Sequence, residues 1–158
     1  MSTAAILTYP DFYSVAVSAA GNHDNNIYNQ WWGETHNGVN QVEKKVSVKG
    51  ESKDSLNNKK VVVTSFRSDI EKNQDLAKNL KGHLLLIHGD MDNNVHPGNT
   101  LRVVDALIKA NKRFDMIIVP GQGHTYGEDT PFLDRAMWYY FAEHLLGDYR
   151  TNVDLLDF

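Results

Sequence analysis

Two polar segments of this sequence carry side chains suited to moving a proton. In the first, the apolar run Leu84-Leu85-Leu86-Ile87 leads into His88-Gly89, and then Asp90, Asp92, Asn93 and Asn94 fall within five positions. In the second, the run from Phe114 to Val119 is closed by Pro120 and followed by Gly121-Gln122-Gly123-His124. A histidine on a glycine-rich loop is easily aimed, because Gly accepts the positive φ that a sharp loop requires. An imidazole that acts as a general base needs its Nδ1–H fixed on a carboxylate, which selects the tautomer and stabilises the imidazolium formed during acyl transfer. Asp92 has the chemistry to orient, and His124 the chemistry to act as base.

The same residues admit plainer readings. Asp90-x-Asp92-x-Asn94 resembles the start of a calcium loop, but Val95 holds the sixth position, where Gly is needed, and Leu101 the twelfth, where a bidentate Glu belongs. His88, His96 and His124 are not arranged as HExxH or as an i,i+4 pair, so no metal site is implied. A His-Gly after a strand is commonly structural. Taken alone, Asp92 and His124 also read as polar residues that cap loops.

The elements that must position these residues follow from periodicity. The run at 84–87 is short and unbroken, as in a strand buried on both faces of a parallel sheet, and the polar turn lies beyond its carboxyl end. In open α/β sheets that edge is where sites are built. The segment from Pro97 to Asn111 has apolar residues at Leu101, Val104, Leu107 and Ile108, an amphipathic stripe that ends in Asn111-Lys112-Arg113. Lying between two strands, it predicts a crossover helix and parallel pairing. Phe12 to Ala20 reads as another strand, and Ser2 to Leu7 as the body of a helix stopped by Tyr9-Pro10. Ile70 to Leu80 predicts a short helix. A last helix is expected from Thr130, as its cap, with Pro131 at the first helical position, to Gly147, burying Phe132, Met137, Tyr140, Phe141 and Leu145. Tyr149 to Phe158 reads as a tail. Between Thr35 and Asp69 the sequence turns to Lys, Asn, Ser and Glu around Val42 to Val48 and Val61 to Val63, which predicts a polar insertion or surface hairpin with Gly50 to Lys60 as its loop.

An Asp and then a His on consecutive strand ends is the order of the α/β-hydrolase triad, in which a Ser comes earlier in the chain. His88-Gly89-Asp90-Met91-Asp92-Asn93-Asn94-Val95 and Gly121-Gln122-Gly123-His124 resemble the HGxxDxxV and G-x-x-H segments of the prolyl oligopeptidase family, and most of all its dipeptidyl peptidase IV branch. The resemblance covers roughly residues 1–34 and 70–150. It implies a partial α/β-hydrolase fold, a mainly parallel sheet with flanking helices, and makes Asp92 and His124 triad members. It implies that Asn94 binds the substrate backbone and that Val95 lines a pocket for a penultimate proline. Tyr28, in Ile27-Tyr28-Asn29-Gln30-Trp31-Trp32-Gly33, corresponds to a pocket-lining tyrosine of that branch, although the aromatics of this segment equally read as a cover for the sheet. The implied activity is removal of dipeptides from peptide amino termini through a serine acyl-enzyme, without a cofactor. An acylaminoacyl peptidase or carboxylesterase of the same fold, or a non-catalytic binding module, are the alternatives.

The nucleophile elbow G-x-S-x-G that this order requires is absent before Asp92. Ser18 has Ala where Gly should be and no helical pattern after it, so it reads as core. In the family the elbow sits just before a helix like Ser2 to Leu7, and the oxyanion hole draws on the residue after the nucleophile and on a tyrosine further upstream. The sequence is therefore expected to be the distal half of a catalytic domain whose partner is its own amino-terminal part. By resemblance the parent would be exported to a periplasm or cell surface and would form a homo-oligomer through its last helix.

Composition is consistent with one domain. The 158 residues are 41% hydrophobic, enough for a real core. With 16 basic and 20 acidic residues the net charge is −4, which gives no footprint for nucleic acid. There is no cysteine, so disulfides and thiol chemistry are excluded. No apolar run approaches the roughly 20 residues needed to span a bilayer, and the amino terminus lacks a basic n-region.

Overall fold

The apolar run becomes β4, His83–Gly89, the middle strand of a parallel sheet. The computed structural model describes residues 1–48, 59–67, 70–149 and 154–155. The chain divides into two units, Met1–Asp24 with Glu71–Phe158, and Asn25–Ile70.

In the first unit, α1 (Ser2–Thr8) is followed by β1 (Val15–Ala19), and β1 pairs in parallel with β4 from Val15↔His83 to Ala19↔Ile87. On the other side β4 pairs in parallel with β5 (Asp115–Val119), from Leu85↔Asp115 to Gly89↔Val119, and α3 (Gly98–Lys109) crosses between them. α4 (Thr130–Leu146) closes the unit. β1 is shorter than its sequence pattern, because Phe12 and Tyr13 are exposed and pack on each other edge to face instead of entering the sheet.

The unbroken apolar character of β4 follows from helices on both faces. Leu84 and Leu86 join Ile6, Leu7, Val103 and Leu107 in one core cluster, whereas Leu85 and Ile87 join Val119, Leu133 and Tyr140 in another. Alternate residues of a strand point to opposite faces, so a strand covered twice has no polar side to show. Burying each of these side chains contributes about 1.5–3 kcal/mol. His88 continues the Leu84–Leu86 row and therefore faces α3.

Several sequence expectations need correction here. In α3 the buried apolar side chains are Val103 and Leu107, while Leu101 and Ile108 are exposed. The buried row includes the polar Thr100, which displaces the stripe by about one residue from the apolar pattern. In α4 the buried residues are Leu133 and Tyr140, with Met137 partly buried; Phe132, Phe141 and Leu145 are exposed. This helix is apolar nearly all round, so periodicity does not select a face. Its N-cap is Asp129, not Thr130, whose hydroxyl instead donates to the carbonyls of Gly127 and Thr125. Gly147 ends it with φ 71°, and its N–H donates to Glu143 O at 3.1 Å, as in an αL cap. The segment before β4 is a 3₁₀ helix, Asn73–Asn79, which places Ala77 in the core. Of the expected tail, only Tyr149, Asp154 and Leu155 are among the described residues, and the Leu155 carbonyl accepts from Arg135 at 2.8 Å.

The second unit holds α2 (Gln30–Asn37) and an antiparallel hairpin, β2 (Asn40–Val48) and β3 (Lys59–Arg67). Asn29 caps α2 by accepting from Trp31 N–H at 3.1 Å. Trp31 and Trp32 are exposed. The hairpin pairs Val46 with Val61 and Lys44 with Val63, and Val61, Val62 and Val63 stay exposed. Most of the expected loop, residues 50–58, lies outside the described residues.

Candidate active site

Asp92 sits in the turn beyond β4 and is 3% exposed. Its Oδ1 accepts from the backbone N–H of Asn94 and of Val95, each at 2.9 Å, an Asx-type turn that the sequence Asp-Asn-Asn-Val favours. Its Oδ2 lies 2.8 Å from His124 Nδ1 and 3.3 Å from His88 Nε2. Burial alone would raise the pKa of this carboxyl. The bonds from His124 and from the Val95 and Asn94 amides outweigh it and hold the group below its usual 3.8.

The loop carrying His124 is fastened to the Asp92 turn. Asp90 Oδ1 accepts from Gly121 N–H at 2.6 Å, and Met91 N–H donates to Gln122 O at 3.0 Å. Gly121 takes φ 73°, which the sharp reversal after Pro120 requires. Gly89 has a different reason to be glycine. A Cβ there would lie 2.2 Å from Gln122 O and 2.6 Å from Gly123 O, so the histidine loop passes over a position that only hydrogen leaves open. Tyr126, in the left-handed region at φ 60°, donates from its hydroxyl to Ile87 O at 3.2 Å, and burial pushes its pKa up to about 12.

The His124 side chain is 38% exposed. With Nδ1 on Asp92, its Nε2 is the nitrogen left for solvent or a reacting group. A carboxylate that orients Nδ1–H and a neutral Nε2 that faces outward make a general base.

The other predicted residues fall in different places. Asn94 is exposed next to the pair, and Val95 is buried at 5% exposure. Tyr28 belongs to the second unit, where its ring meets Trp32 edge to face at 6.5 Å. Ser18 is 9% exposed on β1, within the body of the sheet. Sequence reasoning gave no role to Asp90, which ties the two loops, or to Thr100 and His88, which bond each other at 2.7 Å. The signal for Asp90 was its place between Gly89 and Asp92 in a turn. For Thr100 the signal was a hydroxyl inside an apolar helix row.

A sequence profile of the prolyl oligopeptidase family matches residues 1–148, a range that runs through the hairpin the sequence had set outside the resemblance. Among solved structures, a Bacteroides ovatus protein assigned as a dipeptidyl aminopeptidase IV superposes with a TM-score of 0.68 at 27% identity, over 91% of this chain and 18% of that one. The dipeptidyl peptidase 4 of Porphyromonas gingivalis aligns at 37% identity over 44% of this chain and 10% of its own, with a TM-score of 0.40. Dipeptidyl peptidase family member 1 of Caenorhabditis elegans is 32% identical over 76 residues, 48% of this chain and 9% of that protein. The chain thus spans less than a fifth of each relative.

Proposed function

Because the chain belongs to the prolyl oligopeptidase family, we propose that it supplies the Asp and the His of a serine peptidase that removes dipeptides from peptide amino termini. The observation that carries this reading is the 2.8 Å contact between His124 Nδ1 and Asp92 Oδ2, made at the carboxyl ends of adjacent parallel strands. In the proposed reaction a serine hydroxyl loses its proton to His124 Nε2 as its oxygen attacks the scissile carbonyl. Asp92 stays ionised and stabilises the imidazolium, which then gives its proton to the leaving amine. Water repeats the cycle to release the dipeptide from the acyl-enzyme.

The serine is assigned to a part of the parent upstream of Met1. Two facts support this: no G-x-S-x-G precedes Asp92, and the chain spans only 18% of the Bacteroides ovatus protein and 9% of the Caenorhabditis elegans one. Asn94, exposed beside the pair, is the proposed contact to the substrate backbone, and Val95 a determinant of the preference for proline or alanine at the penultimate position. Tyr28 enters this reading through the resemblance alone, so its substitution is a separate test. A homo-oligomer of the parent, and its export, stand as proposals on the same footing.

The test is to express the parent with its upstream sequence and assay it on a panel of dipeptide substrates that vary the penultimate residue. Preference for proline or alanine, lost with His124→Ala, is the expected result. Activity on acylated amino acids or simple esters, without dipeptide release, would instead favour an acylaminoacyl peptidase or carboxylesterase.

A further inference from the structure

His88 is wholly buried, yet all of its polar atoms are engaged. Its Nδ1 lies 2.7 Å from Thr100 Oγ1, and its Nε2 lies 2.8 Å from Val95 O and 3.3 Å from Asp92 Oδ2. A carbonyl oxygen only accepts, so Nε2 must carry the hydrogen. In the neutral ring Nδ1 then presents a lone pair, and the Thr100 hydroxyl donates to it. We propose that His88 is the positioning residue of the Asp92–His124 pair: its Nε2–H staples the Asp92 turn shut, and Thr100 on α3 fixes the tautomer that lets it do so.

The staple acts on the carboxylate from two directions. It bonds Val95 through its carbonyl, and the N–H of Val95 is one of the two donors to Asp92 Oδ1. It also approaches Oδ2, the oxygen that faces His124. A ring at the start of the turn therefore fixes the residue at its end, and the carboxylate between them has no freedom to rotate away from His124. α3 is registered for this task. Thr100 lies on the same face as Val103 and Leu107, and the neighbouring Asn99 accepts from Asp24 N–H at 3.2 Å, anchoring the first turn of the helix. The row Thr100, His88, Asp92, His124 thus connects the helix to the outward-facing imidazole through buried polar contacts, an arrangement in which every member must be satisfied.

The inference rests on the reading of Asp92 and His124 as a working pair, and nuclear magnetic resonance of the 158-residue chain separates the two. In the wild type, ¹⁵N shifts should show His88 neutral with its proton on Nε2; a proton on Nδ1 would overturn the proposal without any variant. His124 should show a slowly exchanging Nδ1–H that disappears in Asp92→Asn. Its absence in the wild type would remove the premise and the proposed function together. With that signal present, His88→Leu should make its exchange with water about tenfold faster or more. His88→Gln, whose amide nitrogen can stand where Nε2 donates, should keep it within about twofold of wild type. A folded His88→Leu chain with unchanged exchange, or a His88→Gln chain as impaired as a Leu variant, would sink the staple while leaving the pair intact. If His88→Leu does not fold, the wild-type tautomer and the Gln variant still decide.

Discussion

At Asp92 three donors converge on one carboxylate, two backbone amides on Oδ1 and His124 Nδ1 on Oδ2, while His88 Nε2 lies 3.3 Å from Oδ2. Replacing Asp92 with Asn in the parent enzyme keeps the shape but offers an amide to His124 Nδ1, so the wrong tautomer is favoured. The value of kcat should fall roughly 10⁴-fold with KM nearly unchanged, and His124→Ala should fall at least as far. Steady-state kinetics on a dipeptide substrate checks both, and a loss confined to KM would place the pair in binding. The lowered pKa of Asp92 also has a sign in stability. A carboxyl bound more tightly as its anion stabilises the fold above its unfolded value near 3.8, and this contribution is lost as pH falls through the lower folded value. The stability difference between wild type and Asp92→Asn, measured by urea denaturation, should therefore shrink below about pH 3.8. At this scale the proposed pair could be picked out of the sequence because an Asp and a His each stood in a turn beyond an apolar run. His88 and Thr100 were not, since their bond depends on the packing of α3 against β4, and its one local trace is a hydroxyl inside an apolar helix row.

The elements show where periodicity informs and where it misleads. β4 was readable because burial on both faces removes polar residues from a strand. The stripe of α3 was read one position off because Thr100 occupies the buried row, held there by His88. Leu107→Ala should therefore cost about 2–5 kcal/mol, whereas Leu101→Ala, at an exposed site that the sequence pattern placed in the same stripe, should stay within about 0.5 kcal/mol. Denaturant midpoints of the two variants give the comparison, and equal losses would contradict the face assigned to this helix. For α4 the sequence pattern included Tyr140, which is buried, but also Phe132 and Phe141, which are exposed, and it left out Leu133, because apolar residues spread around most of this helix give periodicity little to select a face by. Gly89 makes a sharper test of how β4 meets the histidine loop. A methyl group there would overlap the Gln122 and Gly123 carbonyls, so Gly89→Ala should destabilise by about 1–3 kcal/mol and displace His124 from Asp92. Loss of the His124 Nδ1–H resonance in a folded variant is the expected sign.

Over the whole molecule, pH and completeness decide what this chain does. His23 is buried, its Nε2 has no hydrogen-bond partner among the described residues, and burial lowers its pKa from 6.5 to about 4. The unfolded chain takes up this proton at a higher pH than the folded one, so stability should rise with pH between about 4 and 6.5, by roughly 3 kcal/mol at most. Thermal melts across that range should show the slope, and His23→Gln should flatten it. Completeness is the larger matter. A general base accelerates acyl transfer only if it has a nucleophile to activate and donors to hold the oxyanion. Asp92 and His124 are placed to serve the first need, but no elbow serine precedes them, and Ser18 is buried within β1. By the family resemblance, both oxyanion donors are expected in segments before the position of α1. The 158-residue chain should therefore hydrolyse dipeptide substrates no faster than buffer and leave a fluorophosphonate probe unreacted, even with the Asp92–His124 contact fully formed. Mass spectrometry of the probe-treated chain tests this directly: a single stoichiometric adduct on any serine would show that the nucleophile lies within these residues, and the division of the site between this chain and upstream sequence would have to be abandoned.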